Sequence, residues 1–93
     1  MSALGLVAFL LAFNATGPGP DLLIVVNKSD DTVTILSPVS GEVRATVPVG
    51  KGPHEVEVLA DRKTAAVSNY GKAGEPGRTV TLVDVDRGVA LGT

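Results

Sequence analysis

The sequence predicts an all-β chain made from two copies of one unit of four short antiparallel strands. Three observations carry that expectation. The apolar residues are branched rather than aromatic: hydrophobic residues make up 44% of the chain and aromatics 3%, with Val dominating the apolar stretches. Such residues suit pleated, half-buried strands. The 11 Gly and 6 Pro punctuate a chain that turns often. Finally, nearly matching sequence flanks Val49-Gly50-Lys51-Gly52-Pro53-His54-Glu55 on both sides, which makes this turn the seam of a repeat. At 93 residues the chain can form one modest domain, with a smaller buried fraction than a longer one reaches.

In chain order, Ala3 to Phe13 is an uncharged apolar run. It is too short for a bilayer span, which needs roughly 20 residues. Its length suits the core of a secretory signal peptide, and Asn14-Ala15-Thr16 with Gly17-Pro18-Gly19-Pro20 suits the exit from one. No Lys or Arg precedes the run and no Ala-x-Ala cleavage pattern follows it, so the competing reading is a buried strand or helix of the domain. We take residues 1–20 as signal peptide and linker, which makes the protein secreted or periplasmic. Asn14-Ala15-Thr16 also fits the glycosylation acceptor pattern, which carries no weight so close to the apolar run.

From Asp21 the chain changes character. Leu22 to Val26 is a continuous apolar run of strand length, as a sheet covered on both faces requires. Asn27 to Asp31 is a polar turn. Thr32 to Leu36 alternates as the returning strand of a hairpin. After a turn at Ser37–Gly41, Val43 to Val47, closed by Pro48, is a strand at a sheet edge. Beyond the seam come a strand at Glu55–Leu59, a charged turn at Ala60–Lys63 and a strand at Thr64–Asn69. Tyr70 to Arg78, with Gly71, Gly74, Pro76 and Gly77, reads as a flexible loop. Thr79 to Val85 is the next strand, Asp86-Arg87-Gly88 a turn, and Val89 starts a last strand.

Overlaying the halves pairs Asn27 with Asn69, 42 positions on, and Thr32-Val33-Thr34 with Thr79-Val80-Thr81, 47 positions on. Gly41 pairs with Gly88 at the second offset, so the difference is an insertion within Tyr70–Arg78. A period of roughly 40–50 residues with four short strands per unit is the pattern of a β-propeller blade.

These residues resemble the YVTN-type repeats of bacterial and archaeal exported proteins, a family that includes surface-layer and lactonase-like propellers. Val25-Val26-Asn27 and Val67-Ser68-Asn69 stand for the family's Tyr-Val-Thr-Asn element. Thr32–Leu36 and Thr79–Asp84 stand for its Thr-Val-Ser-Val-Ile-Asp strand. Val47-Pro48-Val49-Gly50 and Pro53-His54 fit its close and restart. Neither copy keeps the leading Tyr, and Leu59-Ala60-Asp61-Arg62 lacks the Pro and Gly of the family's turn. The resemblance covers Leu22 to Thr93 and implies about two four-stranded antiparallel blades of a longer, seven-bladed ring. Blade one spans about 21–50 and blade two about 51–93. The apolar leader stands where the inner strand of blade one is expected, and Thr93 aligns with Thr46 in mid-strand. Since a ring needs 4–8 blades, the expectation is an N-terminal piece of a longer protein, with further blades missing from this chain.

That topology predicts a functional face. In a four-stranded blade the loop entering the inner strand and the loop between strands two and three emerge on the same side. Lys51, His54, Lys28, Asp30, Asp31, Tyr70, Lys72 and Glu75 are therefore expected together. His54 is either a general base or metal ligand or a structural residue bonding a neighbouring blade. We take it as structural, so that His54→Ala damages packing more than ligand binding. Glu55 and Glu57, on one side of a strand, offer hard oxygens to a cation with Asn69, or are two solvated carboxylates. We count no metal and no cofactor. The recurring Asn27 and Asn69 suggest turn stabilisation, and the insertion from Tyr70 is where repeat arrays add specificity. The ligand-binding candidates are His54, Glu55, Asn69, Tyr70 and Lys72.

Several classes drop out. The formal net charge is −2 with no run of like charges, and no aromatics interleave with Lys or Arg, so no nucleic-acid surface is expected. With no cysteine, disulfides and thiolate chemistry are absent, although that assigns no compartment. Gly71-Lys72-Ala73-Gly74 lacks the spacing and following helix of a phosphate loop, and a single His without a nucleophile elbow supports no triad. Two functions remain: an exported binding scaffold for a protein, glycan or small molecule, and a lactonase-like hydrolase with its other catalytic residues beyond Thr93. The scaffold is the preferred reading.

Overall fold

The structure, a computed structural model, describes residues 20–93; the expectations for the leader lie outside them. The described chain is all-β apart from one 3-10 turn. Its strands are β1 (Leu23–Asn27), β2 (Thr32–Leu36), β3 (Val43–Pro48), β4 (Pro53–Val58), β5 (Thr64–Lys72), β6 (Glu75–Asp84) and β7 (Val89–Gly92). They form two antiparallel meanders, a three-stranded sheet β1-β2-β3 and a four-stranded sheet β4-β5-β6-β7. The seam at Val49–Gly52 passes the chain from one to the other.

One face of each sheet builds a shared core. Val33, Ile35 and Val47 of the first sheet and Ala65, Val67 and Val83 of the second are buried together with Val85. Alternation along each strand supplies one buried side chain every second position. Each fully buried Val or Ile contributes about 1.5–3 kcal/mol, so this small branched cluster is what holds the sheets face to face.

The sequence overlay recurs in the hydrogen bonding. Asn27 Nδ2 donates to Thr32 Oγ1 at 3.1 Å and to Thr34 Oγ1 at 2.8 Å. Asn69 Nδ2 donates to Thr79 Oγ1 and Thr81 Oγ1, both at 3.0 Å. The ladders agree as well. Asn27 pairs with Thr32 as Asn69 pairs with Thr79. A register shift falls between Ile35 and Leu36 against β3, and its equivalent falls between Leu82 and Val83 against β7. The Asn of each copy therefore ties two neighbouring strands through hydroxyls, not through the nearby backbone N–H groups expected of a turn.

One expectation is overturned. Tyr70 to Arg78 is not a flexible loop. β5 continues through Lys72 and β6 starts at Glu75, with Gly71 opposite Pro76 and Lys72 opposite Glu75. Only Ala73 and Gly74 turn the chain, Gly74 at φ 76°. The insertion is a hairpin extension that resumes after a bulge between Asn69 and Gly71. Glycine and proline obscure strand alternation, yet both are admitted at a bulge.

Candidate functional site

The ends of β1 and β5, the starts of β2, β4 and β6, and the seam all lie at one edge of the paired sheets. The seam is held there on both sides. From the first sheet, the Asp31 carbonyl accepts from Val49 N at 2.9 Å, and Asp31 Oδ1 accepts from Gly52 N at 2.8 Å. From the second sheet, Tyr70 N donates to Gly52 O at 3.0 Å and Gly71 N to Lys51 O at 2.9 Å. Asp31 takes a left-handed backbone, φ 57°, ending the 3-10 turn at Lys28–Asp30. Asp is among the residues that tolerate this region.

Side chains gather on this frame. The His54 and Tyr70 rings stack at 4.8 Å between centroids with an interplanar angle of 7°. Tyr70 Oη donates to Glu55 Oε1 at 2.9 Å. Lys72 Nζ lies 3.1 Å from Asp31 Oδ1 and donates to the Ser29 carbonyl at 3.1 Å. Lys51 pairs with Glu75 at 3.0 Å. The result is an exposed aromatic pair flanked by two ion pairs, in which each charge has a partner.

The electrostatics follow from those contacts. The Gly52 N–H, then Lys72, hold the Asp31 carboxyl below its usual 3.8. Hydrogen bonding to Glu55, and that residue's charge, raise the Tyr70 hydroxyl above 10.0. Glu75 raises Lys51 above 10.5. Hydrogen bonds to the charged form favour it, and a carboxylate beside a phenol disfavours the phenolate.

Of the five candidate residues, His54, Glu55 and Tyr70 come into mutual contact, and Lys72 lies on the same edge. Asn69 does not join them. It is buried on the opposite face of β5, because Tyr70 follows it in the strand and successive side chains alternate. Its Oδ1 is buried without a hydrogen-bond partner. The idea that Asn69 joins Glu55 and Glu57 around a cation fails for the same reason. Glu55 and Glu57 line an open depression with Val56, Ala66, Ser68 and Val80, across the sheet from the Asn69 amide. Among the described residues no three His, Asp or Glu side chains gather to hold a metal ion.

His54 also departs from its expected role. It is exposed, and its partner is the Tyr70 ring of its own sheet. What sequence reasoning missed is Asp31 as the organiser of the edge. It was expected at this face, but its bond to Gly52 spans 21 positions and leaves no local pattern.

No family model matches the chain, and neither does any curated protein. Among the described residues no helix is long and apolar enough to cross a membrane.

Proposed function

We propose that this chain is part of an exported β-propeller array similar to the YVTN type, and that it serves as a binding module. Its ligand, a protein segment, glycan or small polar molecule, docks at the edge bearing His54, Glu55, Tyr70 and Lys72. The observation supporting this reading is the His54–Tyr70 stack itself. Both rings are exposed, and charged groups bracket them on a frame of backbone hydrogen bonds. A stacked pair in such a setting offers a rigid apolar surface with polar groups at its margins, the mixture that binding sites use for contact and orientation.

Tyr70 is the only tyrosine and the chain has no Trp, so intrinsic fluorescence reports on this edge alone. Titrating the full chain with a panel of soluble oligosaccharides and peptides should change that emission saturably for at least one member. His54→Ala should weaken the interaction tenfold or more with an unchanged melting temperature. Equal affinity in His54→Ala and Lys72→Ala chains would move the binding surface elsewhere. Export is tested separately, by fractionation and N-terminal sequencing; a chain confined to the cytoplasm would refute export, and an intact Met1 on exported chain would refute a cleaved leader.

A further inference from the structure

The two sheets pack in a polar sense, with different faces meeting. The face of the first sheet turned into the core carries Ile24 opposite Ile35 and Val26 opposite Val33. By the repeat equivalence these positions are Ala66 opposite Leu82 and Ser68 opposite Val80 in the second sheet. The other face carries Leu23 opposite Leu36, Val25 opposite Thr34 and Asn27 opposite Thr32. Its counterpart in the second sheet is Ala65 opposite Val83, Val67 opposite Thr81 and Asn69 opposite Thr79.

The burial of equivalent residues is inverted. Val33 and Ile35 are 0% exposed, whereas Val80 and Leu82 are 50% and 40% exposed. Val67 and Ala65 are 0% exposed, whereas Val25 and Leu23 are 38% and 46% exposed. Each molecule thus makes one interface internally and presents both of its halves again, one on each outer face. An interface between unlike faces continues head-to-tail, giving a ring if the rotation closes and an open chain if it does not.

We infer that the protein associates head-to-tail with further copies of itself, the Val80–Leu82 face of one chain seating on the Leu23–Val25 face of the next. The occupant is a second copy because the face each surface would receive is the repeat equivalent of one this chain already packs in its own core. Glu55 and Glu57 stand on the Val80–Leu82 face itself, opposite Ser68 and Ala66, at the β4 margin of an apolar centre made by Ala66, Val80 and Leu82. The inference rests on the repeat equivalence and is independent of any ligand at the His54–Tyr70 edge.

The experiment uses the full chain in light scattering coupled to size exclusion. The parent should rise with concentration through multiples of its mass. Val80→Asp and Val25→Asp each block one face, so either variant alone should stay at the mass of one chain. Their equimolar mixture should stop at twice that mass, because one chain supplies an intact Val25 and the other an intact Val80. Circular dichroism checks that each variant keeps its strands, with Val80→Lys or Val25→Lys replacing either one that does not. His54→Ala should associate as the parent does, which separates this inference from the ligand reading. A parent that is monomeric at every concentration overturns the proposal. So does a single-face variant that still dimerises, or a mixture that stays monomeric.

Discussion

Replacing Gly52 by Ala probes the seam at its tightest point. Gly52 lies at φ 58°, and a Cβ built there would overlap the Gly71 carbonyl oxygen and lie 2.9 Å from Gly71 Cα. The left-handed backbone alone costs an L-residue about 1–2 kcal/mol. The overlap is with backbone on a paired strand, so the seam itself must move. That loosens the Tyr70–Gly52 and Gly71–Lys51 bonds, at about 1 kcal/mol each, and with them the bond to the Asp31 carboxylate. The expected loss is at least about 3–4 kcal/mol, a large share of the ~4–11 kcal/mol that a domain of this size carries at ~0.05–0.15 kcal/mol per residue. Gly74→Ala is the control. Gly74 has φ 76° but nothing within 4 Å of its Cβ position, so only the backbone cost of about 1–2 kcal/mol applies. Urea unfolding followed by circular dichroism at a concentration where the chain is monomeric reads both. Gly52→Ala should unfold at far lower urea than the parent, or without denaturant, while Gly74→Ala should stay close to the parent. If the two variants lie within about 1 kcal/mol of each other, in the range a lone left-handed residue costs, the seam is not packed as described.

Further predictions concern charge and burial. Glu55→Gln should lower the Tyr70 hydroxyl toward 10.0, because the Glu55 hydrogen bond and charge raise it; tyrosinate absorbance follows it cleanly in a chain with one tyrosine. A raised folded-state value favours the neutral phenol, so this contribution to stability is present below pH 10.0 and lost as pH rises through the raised value. Asp31 has the opposite sign. With its carboxyl lowered by the Gly52 N–H and Lys72, its contribution is present above pH 3.8 and lost as pH falls through the lowered value. Melting temperature measured across acid pH should therefore fall less steeply in Asp31→Asn. Part of the slope should survive, since the Lys63 backbone N–H, followed by Thr64, also lowers Asp61. Ile35→Ala should cost about 2–5 kcal/mol, whereas the equivalent Leu82→Ala, on the outer face, should cost less than about 1 kcal/mol in the monomer. Equal losses from these two would show that burial is not inverted between the copies.

The strands of this fold are legible because Val, Ile and Thr alternate with a period that only a sheet can use. The repeat is legible because Asn27 and Asn69 do the same job, each holding a Thr-Val-Thr strand through two hydroxyls. Legibility ends where the backbone, not the side chains, carries the structure. The Tyr70–Arg78 hairpin extension is invisible to alternation, since Gly71, Gly74, Pro76 and Gly77 contribute no pattern. The meeting of His54, Glu55, Tyr70 and Lys72 follows from topology alone, because it depends only on which strand ends share an edge. Asn69 does not, since its placement depends on the second sheet's being covered where the first is open. Nor does a sequence reveal that Asp31 reaches across to Gly52.

That last contact has a mechanical consequence. Asp31 holds Val49 through its carbonyl, Gly52 and Lys72 through its carboxylate, so one residue joins the first sheet, the connecting turn and the second sheet. It pins the joint between neighbouring sheets from both sides. In a structure built by repeating that step, a small error at each joint adds up around the whole assembly. In this chain the seating of one carboxylate, added to the packing of the shared core, bears on whether a series of such sheets would meet itself or spiral past its own start.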